Sequence, residues 1–512
     1  MLTRNSRIIP QDIALIEPES SKKPRTAITW SEFDDKANQF ANALLEMGVK
    51  KGDRIIHWMM NSTEWLIAYF GIIRTGAWAV PLNFRFNSQD AIYCAEIAEA
   101  GIMILGEEFI ERVEAARGQM PTIKTHILVS QNPHEGMISF ENMINKSSTE
   151  ATGIELGYYD CGGLYFTSGT TGLPKPILIT HQNMECATIN EVLYHYQQLS
   201  DNFIVIPPLY HTGVKMHWFG SLLTGGKGTI LTEFSPQRLF KTVQEEKGTI
   251  VWLPTAWTYD ILGELDRGEL NKDDYDLSSW RLMHMGAGPI PTSLVSRWKE
   301  YFPDMQYNTS YGLSETTGPC LRLGIENESK IGSIGKPTLN WDARIVDDDS
   351  KDVATGEIGE ILLKGSGIMK EYYKNPEKTA ETLKNGWLYT GDLAKMDDDG
   401  FIYVIDRKKD VVITGGENIY PVEVENVLLT HAKIGDAAVI GVPDNRLGEI
   451  AAAVIDPKPD VTLTPEEVNE FCEQNLPRYK RPRRIIFDKI PRNPTGKIEK
   501  PKLKEKYARQ EQ

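Results

Sequence analysis

Cysteine is scarce and scattered: the 512 residues hold five (Cys94, Cys161, Cys186, Cys320 and Cys472), and no two form a CxxC pair. That spacing signals neither a zinc ribbon nor a disulfide framework, and a reducing, cytoplasmic setting is expected. The nine histidines include no HExxH-type pair, so no metal spacing is present. Positive charge is in deficit. The 56 Lys and Arg against 71 Asp and Glu give a formal net charge of -15, which argues against nucleic acid as a partner. Long apolar runs are missing too. The most apolar stretch, WLIAYFGIIRTGAWAV at 65–80, is broken by Arg74 and Gly76 and closed by Pro81, so it is too short for a transmembrane segment. The first twenty residues have no apolar leader core, so no signal peptide is expected. No repeat of solenoid period and no low-complexity tract occurs.

What is present reads as layered α/β. The length exceeds one compact core, so two or more domains are expected. Phe33, Ala37, Phe40, Ala41, Leu44 and Leu45 recur at helical spacing, with Ser31 as the expected cap, Asp34 three residues on and Gly48 as the stop. A helix followed by an apolar strand is read at 65–80 and again at 237–254, a pattern that predicts a mainly parallel sheet. After the charged run Asp406 to Asp410 the texture changes to short strands. A helix follows, capped by Thr464 with Pro465 and Glu467, and RRIIFD (483–488) reads as a last strand. The expectation is a large N-terminal domain (1–408) of layered α/β subdomains and a small, mobile α+β C-terminal domain (409–512).

The sharpest chemical signal is FTSGTTGLPK at 166–175. Thr167, Ser168, Thr170 and Thr171 supply hydroxyls, Gly169 and Gly172 free the backbone to turn N–H groups toward an anion, and Lys175 adds a mobile positive charge. Apolar runs on both sides predict a loop between two strands. It is not a Walker loop, because the glycine that should precede the lysine is Pro174.

TSGTTGLPK resembles the signature of the adenylate-forming superfamily: acyl- and aryl-CoA synthetases, peptide-synthetase adenylation domains and luciferases. In the same order the chain has PLYHTG (208–213), GAGP (286–289), YGLSE (311–315), GWLYTGD (386–392), DRKKDVVITGGENIYPVEVE (406–425) and PRNPTGK (491–497). The resemblance covers nearly the whole chain. In motif wording it is closest to aryl-CoA ligases such as benzoate- or halobenzoate-CoA ligase.

The resemblance implies ATP, Mg²⁺ and coenzyme A as co-substrates and cofactor, and it implies a role for each motif. Tyr311 offers a flat face to adenine, beside Gly312. Ser314 donates to the α-phosphate, and Glu315 supplies hard oxygen to Mg²⁺. Gly286, Ala287 and Gly288 line the adenine pocket; the family more often reads GGAP there. Asp392 takes the ribose hydroxyls, and Arg407 touches the nucleotide. Lys497 bridges carboxylate and phosphate in the first step. Gly415, Gly416 and Glu417 line the pantetheine tunnel. Lys409 is the hinge about which the small domain swings, presenting Lys497 and then GGEN. Pro176 departs from the family's usual Gly or Ala. RYKRPRR (478–484) either meets CoA phosphates or is a solvated face.

His211 stands beside the acyl carboxylate and the thioester tunnel. For the acid pocket the expected lining is His211, Lys215, Trp218 and Trp257, whose bulk favours an aromatic, alicyclic or short to medium acid. Lys215 and His217 face either inward, implying a second polar or anionic group on the acid, or outward. A small-molecule acid, ATP and CoA are the expected partners, with a homodimer compatible. Two other functions share these motifs: loading of a carrier protein and, further off, a luciferase-like oxygenase.

Overall fold

The computed structural model describes residues 1–21, 23–167, 174–286, 288, 290–492 and 498–507. Ser168, Gly169, Thr170, Thr171, Gly172, Ala287 and Lys497 lie outside the described residues.

Helix α1 (Trp30–Glu46) starts earlier than the Ser31 cap predicts. Thr29 caps it, and Glu32 closes the capping box with the Thr29 backbone. TWSE and SEFD both fit the box pattern, and the earlier one brings Trp30 as well as Phe33 into the core. Strand β1 (Arg54–Trp58), helix α2 (Thr63–Arg74) and strand β2 (Trp78–Pro81) form a unit in which β1 and β2 run parallel. β3 (Cys161–Thr167) pairs parallel with β2, and β4 (Lys175–Thr180) turns back antiparallel on β3. These strands belong to a first sheet, with residues 168–173 between β3 and β4.

Helix α3 (His181–His195) leads to β5 (Asn202–Val205), α4 (Thr212–Thr224), β6 (Lys227–Ile230), α5 (Pro236–Glu246), β7 (Ile250–Pro254), α6 (Thr255–Arg267), β8 (Leu282–Gly286) and β9 (Gln306–Tyr311). The five strands lie side by side in the order β9-β8-β7-β5-β6, all parallel, within a second sheet. Helices α2 and α4 fill the space between the sheets: Leu66, Tyr69, Met216 and Trp218 share one core with Tyr165 of the first sheet and Phe203 and Trp252 of the second. This is the mixed α/β architecture expected from the alternation of helices and apolar strands.

A third, antiparallel sheet contains β10 (Trp387–Met396) and β11 (Ile402–Arg407). A fourth begins with β12 (Val412–Thr414) and β13 (Glu417–Ile419) and packs on α7 (Pro421–Leu428) and α8 (Pro465–Asn475) around its own core. Thr464, Pro465 and Glu467 cap α8 as expected. Among the described residues no helix is long and apolar enough to cross a membrane.

Candidate active site

The ends of β9, β10 and β11 converge. Tyr311 closes β9, and its hydroxyl donates to Asp392 Oδ2 at 2.5 Å. Asp392 sits on β10 opposite Arg407 of β11 in register, and Arg407 Nε lies 2.6 Å from its Oδ1. Asp392 is buried, so both contacts are made with little competition from water. Burial first, and then the Asp392 carboxylate, push the Tyr311 phenol well above its ordinary range. The tyrosine therefore stays a neutral donor.

After β9 the chain passes Gly312 and enters a short 3-10 turn, Ser314–Thr316. A Cβ on Gly312 would lie 2.6 Å from the Gly318 carbonyl oxygen and 3.0 Å from Pro319 Cα, so the start and end of this loop touch backbone to backbone. Glu315 Oε1 accepts from the Tyr372 hydroxyl at 2.6 Å, and no hydrogen bond of Oε2 occurs among the described residues. Lys175, first residue of β4, extends its Nζ to 6.0 Å from the Tyr372 ring. Burial and then Lys378 lower its pKa, while Glu315 works the other way. Lys175, Glu315, Tyr311, Asp392 and Arg407 thus face one region. Pro176 breaks nothing there: its carbonyl accepts from Tyr373 N within a paired strand.

His211 holds the N-cap position of α4 without a side-chain capping hydrogen bond. Gly286 ends β8 with the Trp252 indole 3.0 Å from where its Cβ would be. Gly288 is exposed, and among the described residues a Cβ there would meet only Thr255 Oγ1 at 3.6 Å. Trp257 is half-buried and stacks on Phe234 at 4.3 Å.

Two of the expected pocket residues are elsewhere. Trp218 packs against Gly228 on β6, three strands along the sheet from β8. Lys215 is fully buried between α2 and β3, its Nζ bonded to the Tyr69 and Tyr165 hydroxyls and 4.3 and 4.2 Å above their rings. Burial drives its pKa well down. Residues two apart on a helix point about 200° apart, so Lys215 and His217 face opposite sides of α4. Both are buried, so neither points out to solvent.

On the His217 side lies a cluster that no sequence spacing announced. Glu191 and His195 of α3, His217 of α4, His284 of β8 and Arg322 are all buried together. Arg322 Nη2 is in ionic contact with Glu191 Oε1 at 2.5 Å; Glu191 Oε2 lies 3.1 Å from His195 Nδ1 and 2.9 Å from His217 Nδ1. Burial acts to raise the Glu191 pKa, but Arg322 and then His217 outweigh it and hold the group ionised. Arg322 Nη1 donates to His195 Nε2 at 3.1 Å, and His284 joins Asn308 and Ser310 at 2.6 and 3.0 Å. Burial keeps His195 and His284 neutral, their pKa values well below the ordinary one. The three imidazoles come close enough to hold a metal ion, with ligand atoms within 4.8 Å of one another. The Arg322 guanidinium already stands among them, however, and would repel a second cation.

Between β11 and β12, Lys409 is exposed in the short turn Lys408–Asp410. Gly415 and Gly416 form the tight turn between β12 and β13 with φ of +59° and +89°, which side chains with a Cβ rarely adopt. With Glu417 they are exposed. Of the basic run at 478–484, Lys480 is paired with Glu423 at 2.6 Å and Arg481 bonds the Leu476 carbonyl at 3.0 Å, so both serve the small domain itself.

This geometry has known counterparts. The family model described as AMP-binding enzyme matches residues 2–373, and that described as AMP-binding enzyme C-terminal domain matches residues 423–497. The chain belongs to the AMP-binding enzyme family. Its relatives include long-chain-fatty-acid–CoA ligase FadD13 of Mycobacterium tuberculosis, 30% identical over 99% of this chain and 98% of that one. Feruloyl-CoA synthase of an Amycolatopsis species is 32% identical over 94% of each chain. Among solved structures, the anthranilate CoA ligase AuaEII with anthranoyl-AMP aligns with a TM-score of 0.89 and 27% identity, covering 99% of this chain and 96% of that one. The o-succinylbenzoate CoA synthetase of Bacillus subtilis with its acyl-adenylate aligns at 0.85 and 27%, covering 98% and 97%. This AMP-binding enzyme is an AMP-forming acid–CoA ligase of the adenylate-forming superfamily.

Proposed function

We propose that this ligase acts on an aromatic, alicyclic or short to medium carboxylic acid. A carboxylate oxygen bonds to the α-phosphorus of ATP as the bond to pyrophosphate breaks. The CoA sulfur then bonds to the acyl carbon, AMP leaves, and the thiol proton passes to solvent. The observation that carries the reading is the convergence of Tyr311, Asp392 and Arg407 beside Glu315 and Lys175.

The roles follow from chemistry. The Asp392 carboxylate, already aligned by two donors, accepts the ribose hydroxyls. The Tyr311 ring backs the adenine, and Gly286, Ala287 and Gly288 edge it. Lys175 and the hydroxyls of Thr167, Ser168, Thr170 and Thr171 hold phosphate oxygens, with Ser314 on the α-phosphate. Glu315 fits Mg²⁺, since its carboxylate has an oxygen not used by Tyr372. When bound, the ion supplies positive charge against the leaving pyrophosphate. Lys497 offsets the repulsion between carboxylate and phosphate, His211 stands at the acid's entry, and Gly415, Gly416 and Glu417 border the pantetheine arm. The domain boundary lies at 408/409, with Lys409 as the hinge. The five cysteines, all buried and free, suit a reducing cytoplasm.

The test is mass spectrometry of the thioester formed from a mixed acid pool with ATP, Mg²⁺ and CoA and no carrier protein, together with acid-dependent ATP–pyrophosphate exchange. Loss of exchange in Lys497→Ala is expected; full exchange would refute its role. Preference for a long fatty acid would refute the small acid.

A further inference from the structure

What the acid carries at its far end depends on what lies beneath Gly286 and Tyr311, given that the protein is the ligase proposed above. Three elements build that floor. His284 stands two residues before Gly286 on β8, so both face the same side of the sheet. Trp252 of β7 pairs in register with His284, and its indole lies under Gly286. From α4, the His217 ring reaches 4.8 Å from the His284 ring and 5.6 Å from that of Trp252, centroid to centroid. Its neighbour Met216 faces Gly318, in the loop that follows Glu315. His217 therefore hangs from the helix that starts at His211, below the place of the acid.

The two nitrogens of His217 differ. Nδ1 is 2.9 Å from the Glu191 carboxylate, which can only accept, so Nδ1 carries hydrogen. With its hydrogen on Nδ1, the ring has Nε2 as the nitrogen whose lone pair can accept. Nε2 makes no hydrogen bond among the described residues, and His217 keeps 4% of its surface open. Arg322 offsets the Glu191 charge, and burial keeps His195 and His284 neutral. Lys215, the amine that could have drawn an anionic group, faces the other side of α4. A floor in which the Glu191 and Arg322 charges offset each other, with one available acceptor, selects a donor.

We propose that His217 Nε2 accepts a hydrogen bond from a hydroxyl of the acid, so that the enzyme prefers a hydroxylated ring acid to its unsubstituted parent. Leaving a buried polar group unpaired is what makes such a site discriminate.

The test is kcat/KM of the full-length enzyme for benzoate, cinnamate and cyclohexanecarboxylate, each beside its monohydroxylated derivatives. At least one derivative should exceed its parent by about tenfold or more. His217→Phe, which keeps a ring against Trp252, should bring that ratio close to one. His217→Asn, which keeps a carbonyl acceptor, should give an intermediate ratio. A ratio near one for every wild-type pair, an unchanged ratio in His217→Phe, or preference for a dicarboxylate would overturn the proposal. If His217→Phe does not fold, the wild-type panel and His217→Asn decide it by the same ratios. Turnover without hydroxyl preference refutes the acceptor and leaves the ligase reading standing, whereas no acid-dependent AMP release with any acid refutes both.

Discussion

Alanine at position 312 should cripple the enzyme while alanine at 288 leaves it intact. Neither glycine has a positive φ, so both backbones tolerate alanine and only the added methyl matters. At 312 that methyl would sit 2.6 Å from the Gly318 oxygen and 3.0 Å from Pro319 Cα. Both are backbone atoms and cannot rotate away. Ordinary contact requires the two strands of the loop to part by roughly 0.8 Å. The loop between them carries Ser314 and Glu315, and Tyr311 is the next residue upstream. Displacement approaching 1 Å at reacting groups costs about 10²-fold, and overpacking costs about 1–3 kcal/mol of stability. The expectation for Gly312→Ala is a loss in kcat/KM of about 10- to 100-fold in ATP–pyrophosphate exchange, with the fold retained. At 288 the nearest atom is Thr255 Oγ1 at 3.6 Å, so Gly288→Ala should stay within about twofold of wild type. Wild-type exchange in Gly312→Ala, or equal losses in both variants, would refute the steric reasoning.

Asp392→Asn removes the charge that Arg407 and the Tyr311 hydroxyl share; KM for ATP should rise about tenfold or more in the exchange assay. Glu191→Gln leaves the Arg322 guanidinium buried without a counter-charge, at a cost of about 3–5 kcal/mol read as a lower urea midpoint; an unshifted midpoint would contradict the ion pair. Stability should also fall on mild acidification. Burial, reinforced by Lys215, lowers the His57 pKa to about 3, and burial with Arg322 lowers His195 and His284 well below 6.5. The unfolded chain takes up these protons at pH 6.5 and below while the folded one does not. The stability they lend is present above that pH and is lost as pH drops, by roughly 1 kcal/mol per histidine between pH 6.5 and 5.5. A urea midpoint flat over that interval would refute their buried, neutral state.

The motifs that converge at the ends of β9, β10 and β11 are legible in the sequence because each sits in a contiguous turn at a strand end: Tyr311 with Ser314 and Glu315, Asp392 within GWLYTGD. The helix at 465–475 was readable for the same reason, since its cap is local. The buried cluster around Glu191 is not. Glu191, His195, His217, His284 and Arg322 come from two helices and separate strands, and only the packing of α3 and α4 on the sheet unites them. Trp218 was misplaced because size does not tell which side of a fully buried helix a side chain takes. The helical wheel alone separates Lys215 from His217, but it does not say which of the two faces the second sheet.

Asp406 and Arg407 stand next to each other at the end of β11. Arg407 turns to Asp392, while Asp406 turns the other way and accepts from Val422 N, in the first turn of α7, at 2.8 Å. A single peptide unit therefore separates the residue that holds Asp392 from the residue that holds α7. If Asp392 takes the ribose hydroxyls as proposed, a nucleotide that competes with Arg407 for it would shift the free energy of the Asp406–α7 contact, and by linkage that contact would shift the nucleotide's affinity by the same factor. The seat of α7 would then report nucleotide occupancy from the far side of one peptide unit.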